Sequence, residues 1–281
     1  MSTFVRLQQI LPQHTLSRLA GTLAASEARW IRGPLIRAFA RAYGVDMAEA
    51  ERSDLASYVS FNDFFTRSLK PDARPVDPAP DSVVSPADGV VSQAGIIERG
   101  ELLQAKGIRY SFRALADVCA GSQFEGGPFA TVYLSPSDYH RVHLPLAGRL
   151  TRTVAIPGKL FSVNATTEAG VEGLFAVNER LVMEFETPMG AVVMVMVGAM
   201  IVASIETVWD GPRSPYREKQ VTTHDLAFER GAEIGRFLLG SSVVLAFEKD
   251  RVRLEDGLAP GAVLRMGQAI GVGLEHGPPR P

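Results

Sequence analysis

The first 45 residues carry apolar side chains at helical spacing. Leu16, Leu19 and Leu23 fall on the i, i+3, i+7 positions of one helix face, and the same spacing recurs between residues 35 and 43. Apolar positions that return with this period predict amphipathic α-helices. We therefore expect residues 1–45 to be helical.

A proline-rich stretch, residues 71–86, follows this helical segment. It contains five prolines and several aspartates, and proline disfavours the helical conformation of the residue before it. Beyond it, β-type apolar runs dominate, and Pro188-Met189-Gly190 predicts a hairpin turn between two of them. The runs are residues 83–84, 90–91, 130–134, 181–185, 191–197 and 243–247.

Helical patterns are sparse after residue 70, and we predict only two, at residues 112–118 and 225–239. The fold class that follows is α+β, with a mostly antiparallel β core and an N-terminal helical segment. We place the boundary at residue 70, which separates the helical segment, 1–70, from a single domain, 71–281.

The longest apolar run, residues 191–203, is too short to cross a membrane as a helix. It has 13 residues with Gly198 inside it, whereas a spanning helix needs about 20. We interpret it as a buried strand. Residues 1–15 lack the continuous apolar stretch of a cleavable signal peptide.

Positive charge is concentrated at the start of the chain. Residues 1–45 contain six arginines and one acid, Glu27, although the whole chain has a net charge of −2. Basic amphipathic helices with Trp30 and Phe39 can lie in a membrane interface, and a hairpin packed on the core is the alternative. The overall charge gives no reason to expect a nucleic-acid partner. The single cysteine, Cys119, excludes an intramolecular disulfide, and we interpret it as a buried apolar residue.

Two histidines lie in "SPSDYHRVHLP", residues 135–145. Ser135 can cap a short helix that has Pro136 in its first turn, which would place His140 and His143 on one side of a helical turn. Two structural histidines, an acid–base pair and a metal pair are all compatible with this spacing. No clear third metal ligand lies nearby.

Asp88 lies in "SPADGVV", residues 85–91, in a proline-containing turn just before a predicted strand. Asp-Gly is common in turns. In isolation the motif therefore favours a structural interpretation.

The stretch "FLLGSSVVLAFEK", residues 237–249, contains a candidate nucleophile. A hydrolase elbow needs Gly-x-Ser-x-Gly between a strand and a helix, but this stretch lacks the second glycine and runs from a predicted helix into a strand. Gly240 has no Cβ, so its carbonyl can be approached closely. The Ser241 hydroxyl could attack that carbonyl if a histidine took its proton and a carboxylate oriented the histidine.

The sequence closely resembles the bacterial pyruvoyl-dependent phosphatidylserine decarboxylases over nearly its whole length. The family's cleavage motif usually ends in threonine, and here Ser242 takes that place. Because serine keeps a hydroxyl, we expect processing to survive. The matching segments are "YVSFNDFFTRSLKPDARPVD", "SPADGVVSQAG", "LQAKGIRYS", "YLSPSDYHRVHLP", "PGKLFSVN", "LFAVNERL", "VGAMIVASIETVW", "EIGRFLLGSS" and "RMGQAIGV".

This resemblance implies a specific chemistry. The chain would cut itself between Gly240 and Ser241, and Asp88, His143 and Ser241 match the family's self-processing triad. Ser241 would become a covalent pyruvoyl cofactor, which forms a Schiff base with phosphatidylserine and allows decarboxylation to phosphatidylethanolamine. His140 matches the histidine assigned to substrate recognition and protonation, and no metal is implied.

The resemblance also implies partners and a location. Residues 1–240 and 241–281 would remain together as a heterodimer, which could oligomerise further. Because the substrate is a membrane lipid, we expect a peripheral protein on the cytoplasmic face of the cell membrane, with residues 1–70 as its membrane-associating segment and residues 71–281 as the decarboxylase domain.

Two other functions remain as alternatives. A biotinyl- or lipoyl-carrier module would need a lysine on an exposed hairpin, and residues 254–272 contain none. A plain serine hydrolase would use the same serine, histidine and aspartate. Only the decarboxylase predicts two polypeptides.

Overall fold

A computed structural model of the chain describes residues 3–10, 12–117, 123–199, 205–212, 215–238 and 241–274. It confirms the helical start. The helices of this segment are α1 (Thr3–Ile10), α2 (Gln13–Ala24), α3 (Arg29–Tyr43) and α4 (Phe61–Phe65), with a 3₁₀ turn at Leu55–Ser57. The side chain of Ser60 caps α4 by accepting a hydrogen bond from the backbone of Asp63, and Gly44 ends α3 in a left-handed conformation.

The rest of the chain is mostly strand. Its helices are short: α5 (Phe112–Ala116), α6 (Ala165–Glu168) and α7 (Leu174–Val177), with a 3₁₀ turn at Ala105–Gly107. The strands are β1 (Ser82–Val84), β2 (Gly89–Ile96), β3 (Glu101–Leu103), β4 (Arg109–Ser111), β5 (Pro128–Leu134), β6 (Arg141–His143), β7 (Gly148–Ile156), β8 (Arg180–Thr187), β9 (Gly190–Val197), β10 (Ile205–Thr207), β11 (Gly211–Pro212), β12 (Gln220–Phe228), β13 (Glu233–Phe237), β14 (Ser241–Phe247), β15 (Val252–Leu254), β16 (Val263–Leu264) and β17 (Ala269–Gly273).

An eight-stranded sheet organises the molecule. Its strand order is β12-β7-β8-β9-β14-β5-β2-β16, and every adjacent pair is antiparallel. Smaller sheets follow the orders β11-β10-β13-β6, β1-β17-β15 and β3-β4. The predicted α+β class with a mostly antiparallel core is therefore confirmed.

Strand β14 lies in the middle of the large sheet, hydrogen-bonded to β9 and β5. Val243, Leu245 and Phe247 pack into the hydrophobic core on one face, whereas Val244 and Ala246 pack into the core on the other. Because both faces are covered, the strand is a continuous apolar run without alternation.

The turn predicted at Pro188-Met189-Gly190 is confirmed. Thr187 pairs with Gly190 across the β8–β9 hairpin, and Gly190 has φ +84°, in the left-handed region that favours glycine. The described part of the long apolar run forms β9, as predicted, and residues 200–203 lie outside the described residues. In the described chain, no helix has the length and hydropathy needed to span a membrane.

The helix predicted at residues 225–239 is wrong, because its described part, residues 225–238, contains the end of β12 and then β13. Residue 239 lies outside the described residues. Exposure alternates along β12, so that Thr222, His224, Leu226 and Phe228 lie on its less exposed side. This period of two is that of a strand, and Gly231, at φ +79°, allows the turn before β13. The helix predicted at residues 112–118 is confirmed as α5 in its described part, whereas residue 118 and Cys119 lie outside the described residues.

Helix α1 packs directly on the β domain. Val5 is fully buried in the second core. The Gln8 side chain accepts a 2.8 Å hydrogen bond from the backbone N–H of Ser162, and Gln13 accepts one of the same length from Leu160. The helical segment is thus attached through α1 and the first residue of α2, and the boundary at residue 70 stays a prediction.

Candidate active site

The strand register brings two of the predicted site positions to one end of the large sheet. Tyr133 of β5 pairs with Val90 of β2 on one side and with Ser242 of β14 on the other. Both neighbours run antiparallel to β5, so β2 and β14 begin at the same edge, about 10 Å apart. Asp88 just precedes β2, and Ser241 is the first residue of β14.

The loop of residues 135–140 lies beside the chain that leads into β14. Leu134, just before the loop, pairs with Ser241. At its other end, the His140 carbonyl accepts a 3.0 Å hydrogen bond from the backbone N–H of Phe237. Leu239 and Gly240 are outside the described residues, and only the backbone of Ser241 is described. Backbone pairing therefore attaches the two ends of this loop to residues on either side of the predicted cleavage segment, Ser241 and Phe237.

The helix predicted to begin at Ser135 is wrong. The backbone N–H of Ser135 donates to Oδ2 of Asp138 at 2.6 Å, and the Asp138 N–H donates back to the Ser135 carbonyl at 3.0 Å. These bonds close a turn, after which residues 141–143 pair with β13 instead of continuing a helix. His140 and His143 therefore do not share one side of a helical turn.

His143 has the geometry of a neutral base. Its Nδ1 lies 2.8 Å from the carbonyl oxygen of Gly231, and because a carbonyl only accepts, Nδ1 carries the hydrogen. The lone pair is then on Nε2, 3.1 Å from the hydroxyl of Tyr139. Burial lowers the pKa of His143 below its usual value, so the ring is neutral at physiological pH.

Asp88 is held by an arginine. Its carboxylate accepts from Arg74 Nε at 2.8 Å and from Arg74 Nη2 at 2.5 Å, as well as from the backbone N–H of Met266 at 2.8 Å. Arg74 also donates to Glu49, and this hydrogen bond is the main cause that lowers the pKa of Glu49. Both members of the Asp88–Arg74 pair are mostly buried.

Asp88 and His143 are linked through the backbone. The His143 N–H donates to the carbonyl of Pro86 at 2.8 Å, so β6 is attached to the turn that carries Asp88. Among the described residues, the structure records no hydrogen bond from the imidazole of His143 to the carboxylate of Asp88. The partner that orients the ring is the Gly231 carbonyl.

His140 is fully buried against Phe65, with ring centroids 4.0 Å apart. Its Nδ1 donates to the carbonyl of Asp138 at 2.9 Å, and its Nε2 is buried without a hydrogen-bond partner. Burial lowers the pKa of His140 to about 3. The ring is therefore neutral, with an unused lone pair on Nε2.

The sequence analysis missed three groups that hold these side chains, namely Arg74, Tyr139 and the Gly231 carbonyl. Arg74 and Tyr139 lie within the matching segments "YVSFNDFFTRSLKPDARPVD" and "YLSPSDYHRVHLP". The resemblance therefore covered both residues but assigned no role to either. Nothing in the local sequence of Gly231 indicates that its carbonyl would meet His143. In the described part of the chain, no three His, Cys, Asp or Glu side chains are grouped closely enough to hold a metal ion.

The residues present are suited to a cofactor made from the chain itself. Ser241 starts a strand that is paired on both sides over residues 242–246, so its position is fixed by the sheet. Next to it lies the loop of residues 135–140, which contains His140 and leads into β6 with His143, and burial keeps both histidines neutral.

Comparisons with known proteins found related sequences over nearly the whole chain. A family model described as "Phosphatidylserine decarboxylase" matches residues 61–272, and a second, described as "PSD", matches residues 3–44. The chain is 53% identical to a phosphatidylserine decarboxylase proenzyme of Azotobacter vinelandii, with 95% of this chain and 97% of the relative covered. It is 51% identical to the proenzyme of Pseudomonas fluorescens, with 96% and 97% covered, and 49% identical to that of Acinetobacter baumannii, with 95% of each covered.

Proposed function

Because the chain belongs to the phosphatidylserine decarboxylase family, we propose that it converts phosphatidylserine to phosphatidylethanolamine and CO₂ after cutting itself between Gly240 and Ser241. The observation that carries this proposal is the placement of Ser241. It begins the central strand β14 beside the loop of residues 135–140. This loop leads into β6, which carries the neutral, oriented His143.

In the self-cleavage step, Nε2 of His143 takes the proton of the Ser241 hydroxyl. The oxygen attacks the carbonyl carbon of Gly240, and the amide nitrogen leaves as an amine, so that the peptide becomes an ester. Elimination across the Cα–Cβ bond of residue 241 then releases the carboxylate of Gly240. Hydrolysis of the resulting enamine, with loss of ammonia, leaves a pyruvoyl group at position 241.

The pyruvoyl group supplies an electron sink for the carbanion left when CO₂ departs. Around it, the chain's own residues bind the headgroup and handle the proton. His140 contributes the buried Nε2 lone pair, and a bound anion beside it raises its pKa toward the range in which it can donate a proton. We assign to His140 the protonation of the carbon that loses CO₂.

The two fragments form a permanent heterodimer. The 41-residue piece, 241–281, contains β14 to β17, and β14 is buried between β9 and β5 with a core on each face. A fragment of this size seldom folds alone. It stays paired within the sheet after the cut.

Residues 1–70 supply the contact with the membrane, and residues 71–281 the chemistry. The helices of this segment expose large apolar side chains: Ile10 is 82% exposed, Trp30 78% and Leu19 60%. With the six arginines of residues 1–45, they suit a peripheral position on the anionic cytoplasmic face of the cell membrane.

The test is a mass and activity measurement on the purified chain. We expect two polypeptides, the smaller blocked to N-terminal sequencing, and release of CO₂ from phosphatidylserine. Ser241→Ala should leave one inactive, uncut chain. A normal 41-residue fragment from that variant would overturn the mechanism.

Two further variants separate the histidines. His143→Ala should remain uncut because the base is lost. His140→Ala should be cut but should lose turnover. Full cutting of His143→Ala would exclude it as the base, and normal turnover of His140→Ala would exclude the protonation role.

A further inference from the structure

Arg67 is a buried cation that has no carboxylate partner among the described residues. Its exposed fraction is 4%, and its Nη2 donates to the carbonyl of Ser137 at 2.9 Å. Its Nε and Nη1 are buried without any hydrogen-bond partner. A guanidinium removed from water without a directly paired carboxylate is unfavourable. Burial lowers the pKa of Arg67, and the more distant Asp88 and Asp138 offset only part of this effect.

Other arginines around the site differ from Arg67 in this respect. Arg74 pairs with Asp88 and Glu49, and Arg141 pairs with Glu233. Two free donors on a buried cation therefore suggest that its acidic partner is supplied from outside the chain.

A second unpartnered group lies beside Arg67. The Asp138 carbonyl accepts from Nδ1 of His140 at 2.9 Å and lies 3.4 Å from Nη2 of Arg67. Both side chains are therefore held by one carbonyl, on the loop that flanks Ser241. The free Nε and Nη1 of Arg67 are donors, whereas the free Nε2 of His140 is an acceptor that becomes a donor to an anion once the ring is protonated.

We propose that Arg67, with His140 beside it, binds the phosphodiester of the substrate headgroup; this assignment rests on the decarboxylase function proposed above. A guanidinium is well suited to phosphate because it stays charged and presents several fixed donors. The substrate's carboxylate is the other candidate anion. The carboxylate becomes neutral CO₂ during decarboxylation. A strong cation bound to it would therefore stabilise the substrate more than the transition state. The phosphodiester keeps its charge throughout.

The free donors of Arg67 are closed to solvent in the uncut chain. The carbonyls of Ser137 and Asp138 hold Arg67, so we expect the loop of residues 135–140 to move when a phosphodiester binds. The processed enzyme should bind glycerophosphoethanolamine, which has the phosphodiester but neither carboxylate nor acyl chains.

The main test compares Arg67→Gln with the processed wild type. Truncating one partner of a desolvated charge pair typically costs enough to weaken binding about 30-fold or more. We expect the inhibition constant of glycerophosphoethanolamine and the KM for phosphatidylserine to rise together by this factor, with kcat unchanged within about threefold. Arg67→Lys should recover part of the affinity, because it keeps the charge. Arg52→Gln, which removes an arginine paired with Asp63 on the surface, is the control and should change neither constant.

Serine, which has the carboxylate but no phosphodiester, separates the two anions. If Arg67→Gln weakens inhibition by serine but not by glycerophosphoethanolamine, the phosphodiester assignment is overturned. If neither inhibitor is affected while the melting temperature falls, Arg67 only supports the loop, and the proposal also fails. If Arg67→Gln is not cut, the same constants are measured on Arg67→Lys, and failure of both variants to be cut would indicate a structural role and overturn the proposal.

Failure of the decarboxylase function has a different signature. In that case the wild type itself releases no CO₂ from phosphatidylserine. Stabilisation of the wild type by glycerophosphoethanolamine in a thermal melt, and its loss in Arg67→Gln, still reports on the anion site without any turnover.

Discussion

The hydroxyl of Tyr139 lies 3.1 Å from Nε2 of His143, on the nitrogen that carries the lone pair. The other nitrogen, Nδ1, is engaged by the Gly231 carbonyl, so the phenol must be the donor in this contact. Donation to the lone pair stabilises neutral His143 and adds to the lowering of its pKa by burial. Tyr139 therefore covers the atom that we propose as the base in self-cleavage.

We predict that Tyr139→Phe will shift the acid limb of the self-cleavage rate to higher pH. Loss of the hydrogen bond to the neutral ring raises the pKa of His143, so a higher pH is needed to deprotonate it. A hydrogen bond of about 1 kcal/mol corresponds to a shift of about 0.7 pH unit. The measurement is the rate of appearance of the 241–281 fragment from freshly synthesised chain between pH 5 and 9.

Tyr58→Phe provides the matched control for this experiment. Tyr58 is also buried, but its hydroxyl donates to the Arg52 carbonyl and not to a histidine. The acid limb of the self-cleavage rate should therefore be unchanged in Tyr58→Phe. An unshifted limb in Tyr139→Phe would show that the phenol does not influence the base.

The contact between Asp88 and Arg74 leads to a second prediction. Arg74→Gln leaves the Asp88 carboxylate buried without its cation, which should lower the free energy of unfolding by about 3 kcal/mol. Asp88→Asn should cost less, because Arg74 keeps its partner Glu49. Both are measured by denaturant unfolding of the uncut Ser241→Ala chain. Arg149→Gln, which breaks an exposed pair with Asp225, is the control and should cost under about 1 kcal/mol.

The same variants show how Asp88 contributes to self-cleavage. If the carboxylate acts by fixing the turn that holds β6, then Asp88→Asn and Arg74→Gln should slow the cut to a similar extent, because each breaks the same pair. A large effect of Asp88→Asn with a normal rate in Arg74→Gln would instead indicate direct action of the carboxylate on His143.

The buried histidines predict a loss of stability in acid. The pKa of His140 is lowered to about 3 in the folded chain, below its usual value of about 6.5, so the unfolded chain binds a proton that the folded chain does not. This linkage destabilises the fold as pH falls below about 6.5, by up to about 1.4 kcal/mol per pH unit. His143 adds to the effect because its pKa is also lowered.

The prediction is measured by unfolding the Ser241→Ala chain at pH 7 and pH 5. His140→Gln removes one titrating group, and we expect the difference between the two pH values to shrink by about 2 kcal/mol. Carboxylates that titrate in the same range affect both chains equally and cancel in the comparison. An unchanged difference would show that His140 is readily protonated in the fold.

Strands β9 and β14 of the large sheet could be predicted because their side chains are apolar over the whole run. Residues 191–197 and 243–247 are covered on both faces, so burial on both sides appears in the sequence as an unbroken apolar run. Strand β12 has no such apolar run, since its less exposed side includes Thr222 and His224. A helix was predicted from residue 225 onward instead. The helix predicted from local residue spacing to begin at Ser135 was also wrong, because the Asp138 carboxylate closes a turn there.

The candidate site could be predicted as a set of residues but not as a set of contacts. Asp88, His143 and Ser241 follow from the resemblance, yet the partner of Asp88 is Arg74 and that of His143 is the Gly231 carbonyl. Gly231 is 88 residues from His143 in the chain. Such pairings depend on how β6 and β13 come together, which no local pattern encodes.

The N-terminal helices give the last prediction, because the structure separates residues that attach this segment from residues that face outward. Val5 and Gln8 are buried against the β domain. Leu19, Leu23 and Trp30 are 60%, 52% and 78% exposed. Deleting residues 1–45 would therefore remove the attachment to the β domain together with the proposed membrane contact. Substitution of the outward-facing residues tests the membrane contact alone.

We predict that the triple variant Leu19→Ser, Leu23→Ser, Trp30→Ser will cut itself and decarboxylate detergent-dispersed substrate normally but lose binding to anionic vesicles. Burial of each large apolar side chain contributes about 1.5–3 kcal/mol, so binding should weaken by at least about 100-fold. The arginines contribute the remaining attraction, about 1 kcal/mol each near an anionic surface, and wild-type binding should fall in high salt. The control, Val221→Ser with Val263→Ser, removes exposed side chains of the β domain and should leave co-sedimentation unchanged. Equal vesicle binding by the wild type and the triple variant would exclude this helical face as the membrane contact.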